Sequence, residues 1–101
     1  MQIKVGKSKD AATLALNGRF DFNSHREFRT SCDEAMQLPE IKEIEVNLSQ
    51  VDYLDSSALG MLLLLREKAQ NANLKVSLTN CTGLVQQVLD VANFQRLFTI
   101  S

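Results

Sequence analysis

Between Ile41 and Leu78 the hydrophobic pattern changes period twice, and this limits the possible folds more than any other feature of the chain. In Ile41-Lys42-Glu43-Ile44-Glu45-Val46-Asn47-Leu48, residues Ile44, Val46 and Leu48 alternate with polar ones, as in a half-buried strand. From about Ser56 to Ala72 the period becomes helical. At about 100° per residue, Ala58, Met61, Leu62, Leu65, Ala69 and Ala72 fall within about 60° of one direction and make a single stripe. Leu74-Lys75-Val76-Ser77-Leu78 alternates again. Strand, helix and strand in succession predict parallel strands joined across a helix, and so an α/β sheet.

The flanks extend the same plan. Ile3 and Val5, then Thr13 to Leu16, read as two short strands around a turn at Lys7–Asp10, with Gly18 ending the second. Ser24-His25-Arg26-Glu27 has the spacing of a capping box, in which the Ser side chain and the Glu three residues on each satisfy a free backbone N–H. Phe28, Cys32, Ala35 and Met36 form the apolar face of the helix that follows, and Leu38-Pro39 ends it. Thr82 is placed to cap a third helix bearing Val85, Val88, Leu89 and Ala92, and Leu97 to Ile100 to add an edge strand. The expectation is one domain over residues 1–101, with a mixed sheet of four to five strands and helices packed on it.

Composition narrows the function. The chain is 45% hydrophobic and 23% charged, a globular balance. Its net charge of −1 lacks the basic footprint of a nucleic-acid binder. Cys32 and Cys81 have no metal-ligand spacing, and no metal or cofactor is expected. Met1 to Val5 does not open like a secretory signal, and the longest apolar run, Met61 to Leu65, is far short of the roughly 20 residues of a membrane span. A cytoplasmic protein is expected, with its cysteines reduced and no membrane partner. The near-zero total hides an uneven distribution. Residues 31–55 hold seven acidic residues and one basic residue, Lys42.

The informative segment joins the central strand to the second helix: Asn47-Leu48-Ser49-Gln50-Val51-Asp52-Tyr53-Leu54-Asp55-Ser56-Ser57-Ala58-Leu59-Gly60. Asp55 or Ser56 serves as N-cap, which puts Ser56 among unpaired N–H groups at the positive end of the helix. A phosphate on Ser56 meets donors already in place there. Hydrogen bonding alone also favours Ser at such a position. Away from the core stripe lie Ser56, Gly60, Leu63, Leu64 and Glu67. Gly60 costs a helix roughly 1 kcal/mol against Ala, and two outward Leu beside it suggest a docking surface.

Asp55-Ser56-Ser57-Ala58-Leu59-Gly60, following Asn47-Leu48-Ser49-Gln50-Val51, resembles the D-S-S-G-L-G segment of STAS domains, and most of all the anti-sigma factor antagonists of bacterial partner switching. Leu16-Asn17-Gly18-Arg19-Phe20-Asp21 is similar to the family's L-x-G-x-x-D, and Thr82-Gly83-Leu84-Val85 to the opening of its third helix. The resemblance implies a non-enzymatic module phosphorylated on Ser56, with Asp21, Asp55 and Ser57 around the phosphosite. It implies docking through Ser56, Ala58, Gly60, Leu63, Leu64 and Glu67 onto an anti-sigma factor that is itself a serine protein kinase, and resetting by a PP2C-type serine phosphatase. Two departures stand out: Ala58 replaces the family's Gly, and Arg19 replaces an acidic residue. Two other outcomes share the fold: a partner switch on a non-sigma target such as a biofilm, secretion or signalling regulator, and a non-switching accessory subunit of a transporter complex. His25 is a lone surface or capping residue, not part of a triad, which geometry defines.

Overall fold

The two longest strands, Ala11–Phe20 (β2) and Glu43–Leu54 (β3), run parallel side by side, and the rest of the fold grows outward from them. The computed structural model covers Met1–Ser101. Gln2–Ser8 (β1) pairs antiparallel with β2 through a tight hairpin. Lys75–Thr79 (β4) lies parallel to β3, and Thr99–Ile100 (β5) parallel to β4. The five strands follow chain order across the sheet, β1-β2-β3-β4-β5. Each parallel pair is bridged by a helix: His25–Met36 (α1), Ser56–Asn71 (α2) and Gly83–Val91 (α3). This is the mixed α/β architecture expected from the alternating periods, with the full five strands.

Strand alternation sorts the sheet into two faces. Ala12, Leu14 and Leu16 of β2 and Ile44, Val46 and Leu48 of β3 are buried in one core. Thr13, Ala15, Asn17, Glu43, Glu45 and Asn47 fall between them and keep contact with solvent. Phe28, Cys32 and Ala35 of α1 and Ala58, Met61, Leu62, Leu65 and Ala69 of α2 close the apolar face, much as their spacing required. Ala72, the last member of the α2 stripe, is exposed at the C-cap because the helix ends at Asn71.

Local expectations change at five places. Ser49 to Leu54 is strand rather than loop: β3 continues through pairs such as Gly18↔Val51 and Phe20↔Leu54, and Val51 and Leu54 are buried. Nor does Gly18 end β2. It lies next to a shift of register, with φ of +111°, a conformation Gly reaches without steric cost. The capping box belongs to Asp21, whose carboxylate accepts from Asn23 N at 3.0 Å as a 3-10 turn (Phe22–Ser24) begins. Ser24 makes no side-chain cap for α1; its hydroxyl is buried and donates to Arg19 O at 2.9 Å. Thr82 is the N-cap residue of α3, without a side-chain bond. The last strand is only Thr99–Ile100, because Leu97 and Phe98 fold back on Phe94 in a second 3-10 turn.

Both cysteines are free and buried. Burial pushes the Cys32 thiol from 9.0 up to about 12 and the Cys81 thiol up to about 11. A thiol that holds its proton in the fold but loses it when unfolded stabilises the native state fully below pH about 9.0, and that share is lost as pH rises through about 11 and 12. Urea midpoints are therefore expected to fall above pH about 9, and to fall less steeply in Cys32→Ala when each is compared with its own value at pH about 7.

Candidate functional site

The second helix begins where the two long strands end together. Leu54 is buried and pairs with Phe20, and the next N–H, of Asp55, donates to Phe20 O at 3.4 Å. Asp55 is extended, with φ of −110°, and its Oδ1 accepts from Ala58 N at 2.9 Å. Asp55, not Ser56, is thus the N-cap, and it satisfies one of the free donors of the first turn. Ser56 is the first helical residue and is exposed; Ser57 is half-buried behind it. The helix start holds the Ser56 hydroxyl in open solvent on a backbone tied to the sheet.

The end of β2 supplies the other half of the site. Asp21 is held by its own 3-10 turn: Asn23 N donates to one carboxylate oxygen, and the Asp21 N–H donates to Ser24 Oγ at 3.4 Å. Arg19 Nε donates to the other carboxylate oxygen at 3.5 Å. The Arg19 guanidinium also lies 4.0 Å from the centroid of the Tyr53 ring, its register partner on β3. Cation–π contacts at exposed sites contribute about 0.5–1 kcal/mol. The basic departure at Arg19 is therefore anchored on the sheet between an aromatic ring and a carboxylate. Within the two strand ends, residues 17–22 and 50–57, Asp21, Asp52 and Asp55 outnumber Arg19.

The partner-facing set divides. Gly60, Leu63, Leu64 and Glu67 are exposed along α2 with Ser56, Leu64 at 53% and Leu63 at 40%. A Cβ on Gly60 would meet nothing within 4 Å, so no part of this chain needs the glycine there. Ala58 departs from the set: it is 0% exposed and sits in the core, so its methyl group packs inward instead of facing a partner.

Phe22 escaped the reading of the sequence, although it directly follows Asp21. It is 72% exposed in a turn that touches α2, the most exposed aromatic ring of the chain. The Arg19–Tyr53 contact was equally hidden, since only the strand register brings the two together. His25 is exposed on the first turn of α1 and makes no side-chain hydrogen bond to the Ser56 segment. No cluster of three or more His, Cys, Asp or Glu is arranged to hold a metal ion, and no helix is long and apolar enough to cross a membrane.

A family model described as "Mlab, STAS domain" matches residues 3–99, and the chain belongs to the STAS domain family. A STAS-domain containing protein of Pseudomonas aeruginosa (strain UCBPP-PA14) is 45% identical over 89 residues, which span 88% of this chain and 86% of that protein. The fold is that of the anti-sigma factor antagonist SpoIIAA. The unphosphorylated form superposes with a TM-score of 0.74 at 17% identity, over 99% of this chain and 87% of that one. SpoIIAA in the phosphorylated form, described as a Bacillus cell fate determinant, gives 0.72 at 15% identity, over 99% and 91%. A sulfate transporter family protein from Wolinella succinogenes gives 0.73 at 16% identity, over 87% and 71%.

Two substitutions separate the scaffold of this site from its surface. Asp55→Ala is expected to cost about 1 kcal/mol in urea unfolding, the loss of an N-cap. Gly60→Ala is expected to stabilise by about 0.5–1 kcal/mol, since Ala is the better helix former and its methyl group has open space. A destabilised Gly60→Ala would show that the glycine serves the fold.

Proposed function

We propose that the chain is a phosphorylation-controlled anti-sigma factor antagonist, with Ser56 as the modified residue. The observation that carries this is the exposed Ser56 hydroxyl on the first turn of α2, held rigid by Asp55 and the β2–β3 pairing, with Leu63 and Leu64 exposed along the same helix. In the unphosphorylated form, Ser56, Gly60, Leu63, Leu64 and Glu67 dock onto an anti-sigma factor that is also a serine kinase, and its sigma factor is released. The Ser56 oxygen then attacks the γ-phosphorus of the kinase's ATP, ADP leaves, and the hydroxyl proton passes to a base of the kinase. The phosphate adds a charge of about −1.5 to −2 beside Asp21 and Asp55. A dianion there repels acidic groups and is costly to desolvate in a tight interface, so the partner leaves. A PP2C-type phosphatase restores the hydroxyl. The chain performs no catalysis of its own, works in the cytoplasm and needs no cofactor.

Incubation with the partner kinase and ATP, followed by intact-mass and peptide mass spectrometry, is expected to place one phosphate on Ser56 and none on Ser56→Ala. A fully modified Ser56→Ala, for instance through Ser57, would reject the site. Ser56→Asp is expected to lose the partner by tenfold or more, about 1.4 kcal/mol.

A second reading is favoured by the likeness to the sulfate transporter family protein. As a non-switching subunit of a transporter complex, the chain would bind its partner equally well as Ser56→Ala and Ser56→Asp. A pull-down with both variants separates the two. Recovery by Ser56→Ala of a regulator unrelated to sigma factors, lost with Ser56→Asp, would instead indicate a switch on another target.

A further inference from the structure

On the other flank of α2 from Leu63, a groove of about 160 Å³ opens between α1 and α2. Its floor is apolar: Phe28 and Cys32 from α1, Met61 and Leu65 from α2, all buried, with Leu64 at the lip. Its remaining lining is basic or titratable: His25 and Arg29 from α1 and Lys68 from α2. No carboxylate lines it. In a chain of net charge −1, that is a local reversal of sign. Arg29 has no ion-pair partner. Lys68 has one, Asp33 at 3.4 Å, with both side chains about half exposed. Exposed pairs of this kind are worth about 0–1 kcal/mol and are readily exchanged.

The volume decides between classes of occupant. Small-molecule and cofactor sites run to about 300–1,000 Å³, well beyond this groove. A cavity of about 150 Å³ accepts one benzene-sized group, the scale of one large side chain. Pockets of that size, filled by a single apolar anchor and rimmed by polar groups, are where binding energy concentrates in protein interfaces. Met61 suits the floor, since an unbranched thioether adapts to the shape it meets.

We propose that this groove is a socket for one large apolar side chain carried on an acidic segment of a partner protein, with Arg29 and Lys68 receiving the flanking carboxylates. The socket adjoins the Ser56 docking face through Leu64 but does not require Ser56 to be phosphorylated. It therefore goes beyond the switch, as a second point of attachment.

A phage library of random short peptides is panned on the full chain and counter-selected on the Arg29→Glu/Lys68→Glu variant. The consensus peptide is then synthesised, its affinity measured by fluorescence anisotropy and its footprint mapped by amide chemical shifts. The expected consensus has Phe, Leu or Met next to Asp or Glu, with shifts at Phe28, Arg29, Met61 and Lys68. Charge reversal, and separately Leu64→Glu, are expected to weaken binding at least about tenfold, and added salt to weaken it further. No groove-dependent enrichment, a consensus without acidic residues, or a footprint elsewhere would overturn the proposal. So would groove binding of octanoate with no peptide selected, which would assign the groove to a small anionic amphiphile. Arg29 and Leu64 are exposed, so these variants are expected to fold. If urea unfolding shows otherwise, Arg29→Gln/Lys68→Gln replaces the charge reversal and must still weaken binding.

Discussion

Everything at the functional end of this molecule depends on parallel pairing between β2 and β3 that outlasts the rest of the sheet. The neighbouring β3–β4 ladder stops at Asn47↔Thr79, whereas β2–β3 continues through two shifts of register to Phe20↔Leu54. The extension brings the ends of two strands to one place. It buries Phe20 and Leu54, donates the Asp55 N–H to Phe20 O, and fixes the direction in which α2 departs. Were the strands to part at Asn47, Asp55 would still cap a helix, but nothing would hold the start of α2 against the end of β2.

The two carboxylates of the site are occupied with structure, and this shapes its electrostatics. Asp55 caps α2 through Ala58 N, and Asp21 caps the 3-10 turn while receiving Arg19. Both carboxylates are held by bonds from the backbone, Asp55 directly before Ser56 in the chain and Asp21 directly after Phe20, whose carbonyl receives the Asp55 N–H. Arg19 is the one nearby cation seen to contact either, and it is shared with the Tyr53 ring. Under the proposed function, a phosphate on Ser56 would meet carboxylates already fixed by the fold rather than mobile side chains.

Much of the fold was legible because the helices and strands differ so clearly in period. The α2 stripe from Ala58 to Ala69, the α1 face and the alternation of Ile44, Val46 and Leu48 all announce their burial in the local pattern. What could not be read was information held by a neighbour. Ser49-Gln50-Val51-Asp52 carries no strand period of its own and becomes strand because β2 pairs with it. Ser24 has the spacing of a cap, yet Asp21 takes the capping role while Ser24 turns inward to Arg19 O. At the site, Ser56, Asp55 and the outward Leu63 and Leu64 follow from helix geometry alone. Phe22 and the Arg19–Tyr53 stack require the tertiary fold, and Ala58 shows that a position inside a motif can still be buried in the core.

The order of the strands, β1 through β5 without a swap, has a consequence for how the chain acquires its shape. Each new strand adds to an edge that the preceding residues have already built, but only the β1–β2 hairpin is local, and the three parallel pairings join residues 22 to 34 apart. Parallel pairing across such separations is intrinsically slow to form, and a domain generally folds as a unit. The Ser56 corner, whose helix shares one core with Leu78, Val85 and Leu89, therefore takes its shape only as the whole chain folds.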